Sequence, residues 1–277
     1  MDEQSSSLNK IIDGKTLALE HEEKLRQTLA QFKNGRLPKL VSFVNKNDEP
    51  SVKYTNMKSK KAEALGIQFI TRKISPGTKY SLITREIKKY NVDPSIDGIM
   101  VQLPIPESVL DGKLPKELLD KILPEKDVDG LTERSQYLPA TVKGVMTILE
   151  SEGVLGKGKV IRVLGGVHGM VGSSLVKALH GMHEKVIGVS KSDPAIKTLA
   201  RWADILISAV GQPNLVTEDM VKPGAVVVDV GKDVDTENVM KKVSRITPKI
   251  GGVGPMTVIS LMENVTEAFC RSHPERS

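Results

Sequence analysis

Hydrophobic and polar residues alternate along this chain with two different periods. Apolar residues at helical spacing predict a helix over 15–32, and shorter apolar runs between polar segments predict strands. Some of these runs, such as Ile205-Leu206-Ile207, are apolar at consecutive positions, which is typical of strands buried on both faces of a parallel sheet. The pattern therefore predicts an α/β fold, with strands over 40–44, 67–74, 96–103, 159–164, 185–189, 204–210 and 225–230.

Two further helices have recognisable ends. Over 51–65, Ser51 is a candidate N-cap and Gly66 stands just past the last helical position. A final helix is predicted over 256–271, with Pro255 near its start, where the fixed backbone angle of proline suits the first turn.

Size and composition indicate two globular domains. A chain of 277 residues is longer than one hydrophobic core usually supports, and 39% hydrophobic with 27% charged residues is ordinary for a globular protein. Only 3% of the residues are aromatic, which leaves few rings on which bases could stack. We therefore do not expect nucleic acid as a partner.

Charge and cysteine content narrow the choice further. The chain has 40 Lys plus Arg and 34 Asp plus Glu, so its net charge of +6 suits a phosphorylated cofactor or a polycarboxylate as well as RNA. Cys270 is the only cysteine, and the five histidines show no metal-ligand spacing, so we expect no disulfide and no metal. The polar first residues and the lack of a run of about 18 apolar residues predict a cytoplasmic protein with no membrane span.

A glycine-rich segment over 165–172 lies between the strand over 159–164 and a predicted helix. Glycines permit a tight turn, and the N–H groups that begin the next helix can bind a pyrophosphate. The spacing differs from the usual G-x-G-x-x-G, and such turns also occur merely to close a βα unit. In this βαβ context the segment predicts a dinucleotide site, with contacts from Gly166, Val167, His168 and Gly172.

Ser190 and Lys191 follow the next predicted strand, about 20 residues after the glycine turn. NAD-binding folds often place an acidic residue there against the ribose 2′-hydroxyl. Hydroxylic and basic residues would instead tolerate a 2′-phosphate, although Asp193 is close by. The alternative is a solvated loop that opens a helix.

Tyr54 and Lys58 are four residues apart on the helix over 51–65 and therefore share a face. A lysine among apolar neighbours loses hydration, which disfavours its charged form and lets it accept a proton near neutral pH. The alternative is an amphipathic helix with solvated lysines. Gln102, a polar residue at the end of an apolar strand, is placed to hold Lys58 by a hydrogen bond.

The acidic segment Asp127-Val128-Asp129-Gly130 offers carboxylates that could accept hydrogen bonds from a nitrogen heterocycle. An Asp-Gly turn explains at least Asp129 equally well.

Taken in order, these segments resemble the methylenetetrahydrofolate dehydrogenase/cyclohydrolase family, also called the FolD family. The resemblance covers nearly the whole chain. The motifs that carry it are Ser51-x-x-Tyr54-x-x-x-Lys58, Val101-Gln102-Leu103-Pro104, Pro124-Glu125-Lys126-Asp127-Val128-Asp129-Gly130, Lys222-Pro223-Gly224-Ala225, Asp229-Val230-Gly231 and Gly251-Gly252-Val253-Gly254-Pro255-Met256-Thr257.

This resemblance implies a substrate domain over 1–140, completed by a returning helix over 256–277, and a Rossmann domain over 141–255 that binds NAD(P). It implies an active site in the cleft between the domains, and a homodimer. Lys58 would be the catalytic group of the cyclohydrolase step, Tyr54 would pack on the folate, Gln102 would hold Lys58, and Asp127 would recognise the pterin ring. The other implied substrate contacts are Ser51, Leu103, Gly251, Gly252 and Pro255.

The resemblance also implies two reactions: oxidation of 5,10-methylenetetrahydrofolate with a nicotinamide cofactor, then hydrolysis of the methenyl product to 10-formyltetrahydrofolate. Family members commonly have Gly-Arg-Ser where this chain has Gly166, Val167 and His168, so the arginine that suits a 2′-phosphate is missing. We expect NADP, with NAD also possible, and His168 or Lys232 as partial replacements for that cation.

Two alternatives remain at this point. One is a cyclohydrolase with weak or absent dehydrogenase activity, because of the altered glycine turn. The other is a basic α/β module that binds RNA or a protein partner, suggested by a pI near 9.2.

Overall fold

The computed structural model describes residues 10–32, 35–182 and 185–272. They divide into a three-stranded unit, residues 20–140 and 258–272, and a five-stranded unit, residues 10–19 and 141–257. Residues 10–19 thus group with the second half of the chain, whereas the sequence analysis placed them in the first domain. They group there because they bond to the last strand of that unit: the Ile12 N–H donates to the Ile246 carbonyl oxygen at 2.8 Å.

The three-stranded unit is built on a parallel sheet in the order β2-β1-β3. Side chains alternate between the two faces of its strands, and Val41 and Phe43 on one face pack against Ile83 and Ile87 of a neighbouring helix. The elements of this unit are α1 (Gly14–Ala30, which begins in the other unit), β1 (Lys39–Asn45), α2 (Glu49–Ala64), β2 (Gln68–Ile74), α3 (Tyr80–Val92), β3 (Gly98–Gln102), α4 (Glu107–Leu110) and α5 (Pro115–Leu119).

Helix α2 begins earlier than predicted. Its N-cap is Asp48, whose side chain accepts a hydrogen bond from the Ser51 N–H at 2.9 Å, so Ser51 lies inside the first turn rather than at the cap. The end agrees with the prediction, because Gly66 follows the helix with a φ of 79°, a conformation that glycine adopts without strain.

The five-stranded unit has a parallel sheet in the order β5-β4-β6-β7-β8. Its central strands β6 and β7 are buried at every position, as their consecutive apolar residues predicted. The elements are α6 (Ala140–Ser151, whose first residue belongs to the other unit), β4 (Ile161–Leu164), α7 (Met170–His180), β5 (Val186–Val189), α8 (Ile196–Arg201), β6 (Ile205–Ser208), a 3₁₀ turn (Glu218–Met220), β7 (Val226–Asp229), α9 (Thr236–Val239) and β8 (Arg245–Ile246).

The last helix, α10 (Val253–Ser272), starts three residues before the predicted position, so that Pro255 lies in its first turn. Asn264 ties this helix to the three-stranded unit, because its Nδ2 donates to the carbonyl oxygens of Val128 at 2.9 Å and Leu138 at 3.0 Å. Among the described residues, no helix combines the length and the apolar character that crossing a membrane requires.

Candidate active site

Lys58 is the best-defined functional candidate in the three-stranded unit. Its side chain lies on the buried face of α2 and is only 3% exposed. The ammonium Nζ donates to Gln102 Oε1 at 3.0 Å, lies 3.9 Å from the sulfur of Met100, and sits 4.8 Å from the centre of the Tyr54 ring. The structure therefore brings together the three residues that the sequence analysis linked, and it places them at the carboxyl end of β3.

Burial dominates the electrostatics of Lys58. Removal from water disfavours the ammonium form and lowers the pKa of Lys58, while the negative charge of Asp129 acts in the opposite direction. A lysine in this environment exchanges a proton more readily near neutral pH than a solvated one does. The solvated-helix alternative applies to exposed neighbours such as Lys60, but not to Lys58.

Ser51 and Leu103 meet beside this lysine. Ser51 Oγ donates to the Leu103 carbonyl oxygen at 3.1 Å, and Gln102 Nε2 donates to the same oxygen at 3.1 Å. These two bonds fix the segment after β3, so the Gln102 amide is oriented with its oxygen toward Lys58. Ser51 and Leu103 therefore bond to each other and hold the segment that carries Gln102.

Asp127 pairs with Ile99 of β3 in a parallel bridge, at the start of a turn. Its carboxylate is buried and already accepts three hydrogen bonds, from the Gly130 N–H at 3.2 Å, the Thr132 N–H at 2.9 Å and the Thr132 hydroxyl at 2.8 Å. Burial raises the pKa of Asp127, and the Thr132 hydrogen bonds oppose that rise. These hydrogen bonds fix the carboxylate within the turn, and its role as a pterin contact stays a prediction.

Asp129 is the carboxylate for which the sequence left an Asp-Gly turn as an equal explanation. It is half-buried in the turn that follows Asp127, and its charge favours the ammonium form of Lys58. The turn lies beside β3, where the Ile99 N–H donates to the Lys126 carbonyl oxygen at 2.8 Å.

The lowered pKa of Lys58 gives a stability prediction. Between the pKa of Lys58 in the folded protein and its ordinary value of 10.5, the unfolded chain binds more protons than the folded one, so stability rises with pH in that window. Lys58→Met removes this contribution. We expect the free energy of unfolding of the wild type to increase relative to Lys58→Met as pH rises toward 10.5, measured by urea unfolding; a constant difference would contradict the lowered pKa.

The glycine turn in the five-stranded unit connects β4 to α7 at the point where the chain reverses its direction across the sheet. From β4 the chain moves outward to β5 and then returns to β6 on the other side of β4, which leaves a crevice at the carboxyl ends of β4 and β6. A Cβ on Gly165 would collide with the Ala209 carbonyl after β6, and a Cβ on Gly172 would collide with the Gly165 carbonyl. Both glycines are therefore required by close backbone approach.

Val167 and His168 lie at the exposed tip of this turn, and α7 begins directly after it with no side chain capping its first N–H groups. Free N–H groups at a helix start favour an anion. The turn, the crevice and the open helix start together form a cradle that fits a pyrophosphate, and that cradle is built from backbone rather than from the residues at positions 167 and 168.

Two family models match the chain along most of its length. One, described as the tetrahydrofolate dehydrogenase/cyclohydrolase catalytic domain, covers residues 12–129, and the other, its NAD(P)-binding domain, covers residues 139–273. The chain belongs to the tetrahydrofolate dehydrogenase/cyclohydrolase family. This confirms the resemblance noted in the sequence and replaces the alternative of a basic binding module.

Relatives in this family match nearly end to end. The bifunctional protein FolD of Lactobacillus acidophilus is 40% identical and is covered over 99% of its length by 96% of this chain. Among solved structures, a methylenetetrahydrofolate dehydrogenase of the silkworm Bombyx mori is 33% identical, with a TM-score of 0.87 over 96% of this chain and 99% of that one. The FolD of Trypanosoma brucei, solved with NADP and an inhibitor, is 30% identical, with a TM-score of 0.88 over 95% and 97%.

In the NAD(P)-binding domain of this family member, the predicted cations occupy different places. Ser190 and the exposed Lys191 follow β5, which pairs directly with β4. Lys232 follows β7, so β4 and β6 separate it from β5, and the two loops are roughly 14 Å apart at the usual strand spacing. Lys191 is therefore the cation placed beside the glycine turn, and Lys232 lies across β4 and β6 from it.

The other predicted substrate residues belong to the five-stranded unit. Gly251 and Gly252 lie just before α10, and Pro255 lies in its first turn. A side chain on Gly14 would collide with the Gly252 carbonyl, so this loop packs tightly against the start of α1. No group of three or more His, Cys, Asp or Glu that could hold a metal ion occurs within residues 10–32, 35–182 and 185–272.

Proposed function

We propose that this protein oxidises 5,10-methylenetetrahydrofolate with NAD(P) and hydrolyses the resulting methenyl compound to 10-formyltetrahydrofolate. The observation that carries the proposal is the buried Lys58, held by Gln102 and covered by the Tyr54 ring, in a chain of this family. An exposed amine would be a permanent cation, whereas a desolvated one can take up and release a proton during a reaction.

The two reactions need different contributions from the protein. For hydrolysis, the oxygen of a water molecule bonds to the cationic methenyl carbon as an electron pair of the C=N bond moves onto nitrogen, and neutral Lys58 accepts the proton that this water loses. The C–N5 bond then breaks as the formyl group forms, N5 takes up the proton from Lys58, and the remaining hydroxyl proton leaves to solvent. Gln102 keeps the Nζ in place because its amide oxygen accepts one N–H. The bound nicotinamide accepts the hydride for the oxidation, and the protein's contribution there is alignment.

Tyr54 and Asp129 are proposed as the folate contacts next to Lys58. The half-buried Tyr54 ring offers an apolar face on which a pterin can stack. Asp129 carries a carboxylate that can accept hydrogen bonds from ring nitrogens, and Asp127, whose Oδ1 accepts only one hydrogen bond within the turn, is proposed for the same role.

The cofactor is proposed to be NADP, with Lys191 facing the 2′-phosphate. Lys191→Ala removes one cation beside the turn, so we expect the KM for NADP to rise about tenfold, as loss of a charge-assisted hydrogen bond implies. The KM for NAD should stay nearly unchanged, which makes NAD the internal control. Steady-state kinetics with both cofactors measure this, and an equal effect on both would remove Lys191 from the 2′-phosphate site.

A cyclohydrolase with little dehydrogenase activity is the second candidate, because Val167 and His168 put no guanidinium at the glycine turn. Cofactor titration followed by fluorescence separates the two proposals. Binding of NADP or NAD in the micromolar range supports the bifunctional enzyme, and absence of binding at millimolar concentrations supports hydrolysis alone.

The complete proposal is tested with the purified protein and two folates. Methylenetetrahydrofolate should support nicotinamide reduction, and methenyltetrahydrofolate should be hydrolysed; turnover of neither would contradict the proposal. A homodimer, which the family resemblance implies, and a cytoplasmic location, which the composition of the sequence predicts, complete it. Light scattering of the purified chain checks the dimer.

A further inference from the structure

Two buried hydroxyl groups near Lys58 are left without a hydrogen bond. They are Thr55 Oγ1 and Ser42 Oγ, on side chains that are 1% and 0% exposed. A buried hydroxyl without a partner is costly, and native proteins commonly satisfy such groups with an internal water molecule. Ser42 and Thr55 therefore need a hydrogen-bond partner that the residues around them can hold in place.

The register of the sheet places Ser42 beside Lys58. Ser42 on β1 is the direct partner of Met100 on β3, and partners in a parallel ladder point to the same face. Met100 Sδ is the atom that lies 3.9 Å from Lys58 Nζ, so that face is the one covered by α2. Val41 and Phe43, the neighbours of Ser42 in sequence, point to the opposite face.

The helix places Thr55 on the same side. The buried positions of α2 are Ser51, Thr55 and Lys58 with Ala62, at spacings of four and three residues, so they form one stripe. Ser51 reaches the Leu103 carbonyl and Lys58 reaches Gln102, which leaves Thr55 between two points of contact with the sheet.

We propose that Ser42 and Thr55 hold a buried water molecule that accepts a hydrogen bond from Lys58 Nζ, which makes both of them positioning residues for Lys58. An ammonium group has three N–H donors, and in this site Gln102 Oε1 accepts one while the Met100 sulfur is a weak acceptor. A water molecule between two hydroxyls and Nζ has three polar partners, the usual number for an internal site.

This water favours the ammonium form of Lys58, as Asp129 does, against the effect of burial. The titratable or charged groups that face Lys58 among the described residues are Tyr54 from its own helix and Asp129 from the turn beside β3, while β1 contributes the neutral Ser42. Removing the hydroxyls should therefore lower the pH at which Lys58 loses its proton.

The test is a titration of Lys58 by NMR in protein carrying ¹³C-labelled lysine, with the signal assigned by its loss in Lys58→Met. We expect Thr55→Val and Ser42→Ala each to move the midpoint to lower pH by about one unit, the size expected for a hydrogen bond to a charged group. Thr55→Ser, which keeps the hydroxyl, should leave the midpoint near that of the wild type.

Thr266→Val is the matched control, because Thr266 is also buried but its hydroxyl donates to the Met262 carbonyl of its own helix at 2.8 Å. It should not move the midpoint. A wild-type midpoint in Thr55→Val or Ser42→Ala would overturn the proposal, and Ser42→Ala suffices if Thr55→Val does not fold.

The consequence for catalysis rests on the proposed function. If Lys58 is the proton acceptor in hydrolysis, the acid limb of the pH profile of kcat/KM should move to lower pH together with the NMR midpoint. The NMR midpoint requires no turnover, so an inactive protein would contradict the proposed function and would leave the water site to be judged by the titration alone.

Discussion

Replacement of Lys58 by alanine is expected to reduce the hydrolysis of methenyltetrahydrofolate by about 10²- to 10⁴-fold, the usual range for loss of a positioned general base. The side chain is buried and its Nζ is held by Gln102, and alanine supplies no group that can accept a proton at that position. Stopped assays of 10-formyltetrahydrofolate formation measure the effect, with circular dichroism to confirm that the variant is folded.

Lys60→Ala is the matched control for this change. Lys60 is two residues away on the same helix, but its side chain is exposed. Its removal should leave hydrolysis within about twofold of the wild type, as for an ordinary surface position. Full hydrolysis by a folded Lys58→Ala protein would remove Lys58 from the mechanism, whatever the control shows.

Replacement of Gly172 by alanine is expected to lower kcat/KM of the dehydrogenase reaction by about 100-fold, the cost of misplacing reacting groups by about 1 Å. The new Cβ would collide with the Gly165 carbonyl oxygen, so the start of α7 must move away from the glycine turn. The pyrophosphate would then lose its alignment with the helix N–H groups. Initial rates with NADP measure the loss.

Gly181→Ala, just past the other end of the same helix, provides the comparison. The closest atom to its new Cβ is the Ala178 carbonyl oxygen, at an ordinary contact distance of 3.6 Å. Dehydrogenase activity should be retained in this variant. Equal activity of the two alanine variants would show that the close approach at Gly172 does not shape the cofactor site.

The sequence predicted the main elements because their signals are local. Consecutive apolar residues identified β6 and β7, and the spacing of Tyr54 and Lys58 put both on one helix face. The two-residue strand β8 was not predicted, since two residues carry no period.

Within the site, the contacts of the predicted residues depended on information that is not local. Asp127 and Asp129 both lie close before Gly130, and only the hydrogen bonds from Gly130 and Thr132 show how the turn holds the Asp127 carboxylate. Lys232 was separated from Lys191 only by the strand order. In the same way, the helix start depended on a choice between two capping residues, Asp48 and Ser51.

The most direct test of the central claim is a parallel measurement of initial rates on the unmodified protein. Nicotinamide reduction with methylenetetrahydrofolate is followed with NADP and with NAD, and hydrolysis of methenyltetrahydrofolate is followed in the same preparation. We expect both activities, with NADP the better cofactor. A folded protein that turns over neither folate would contradict it.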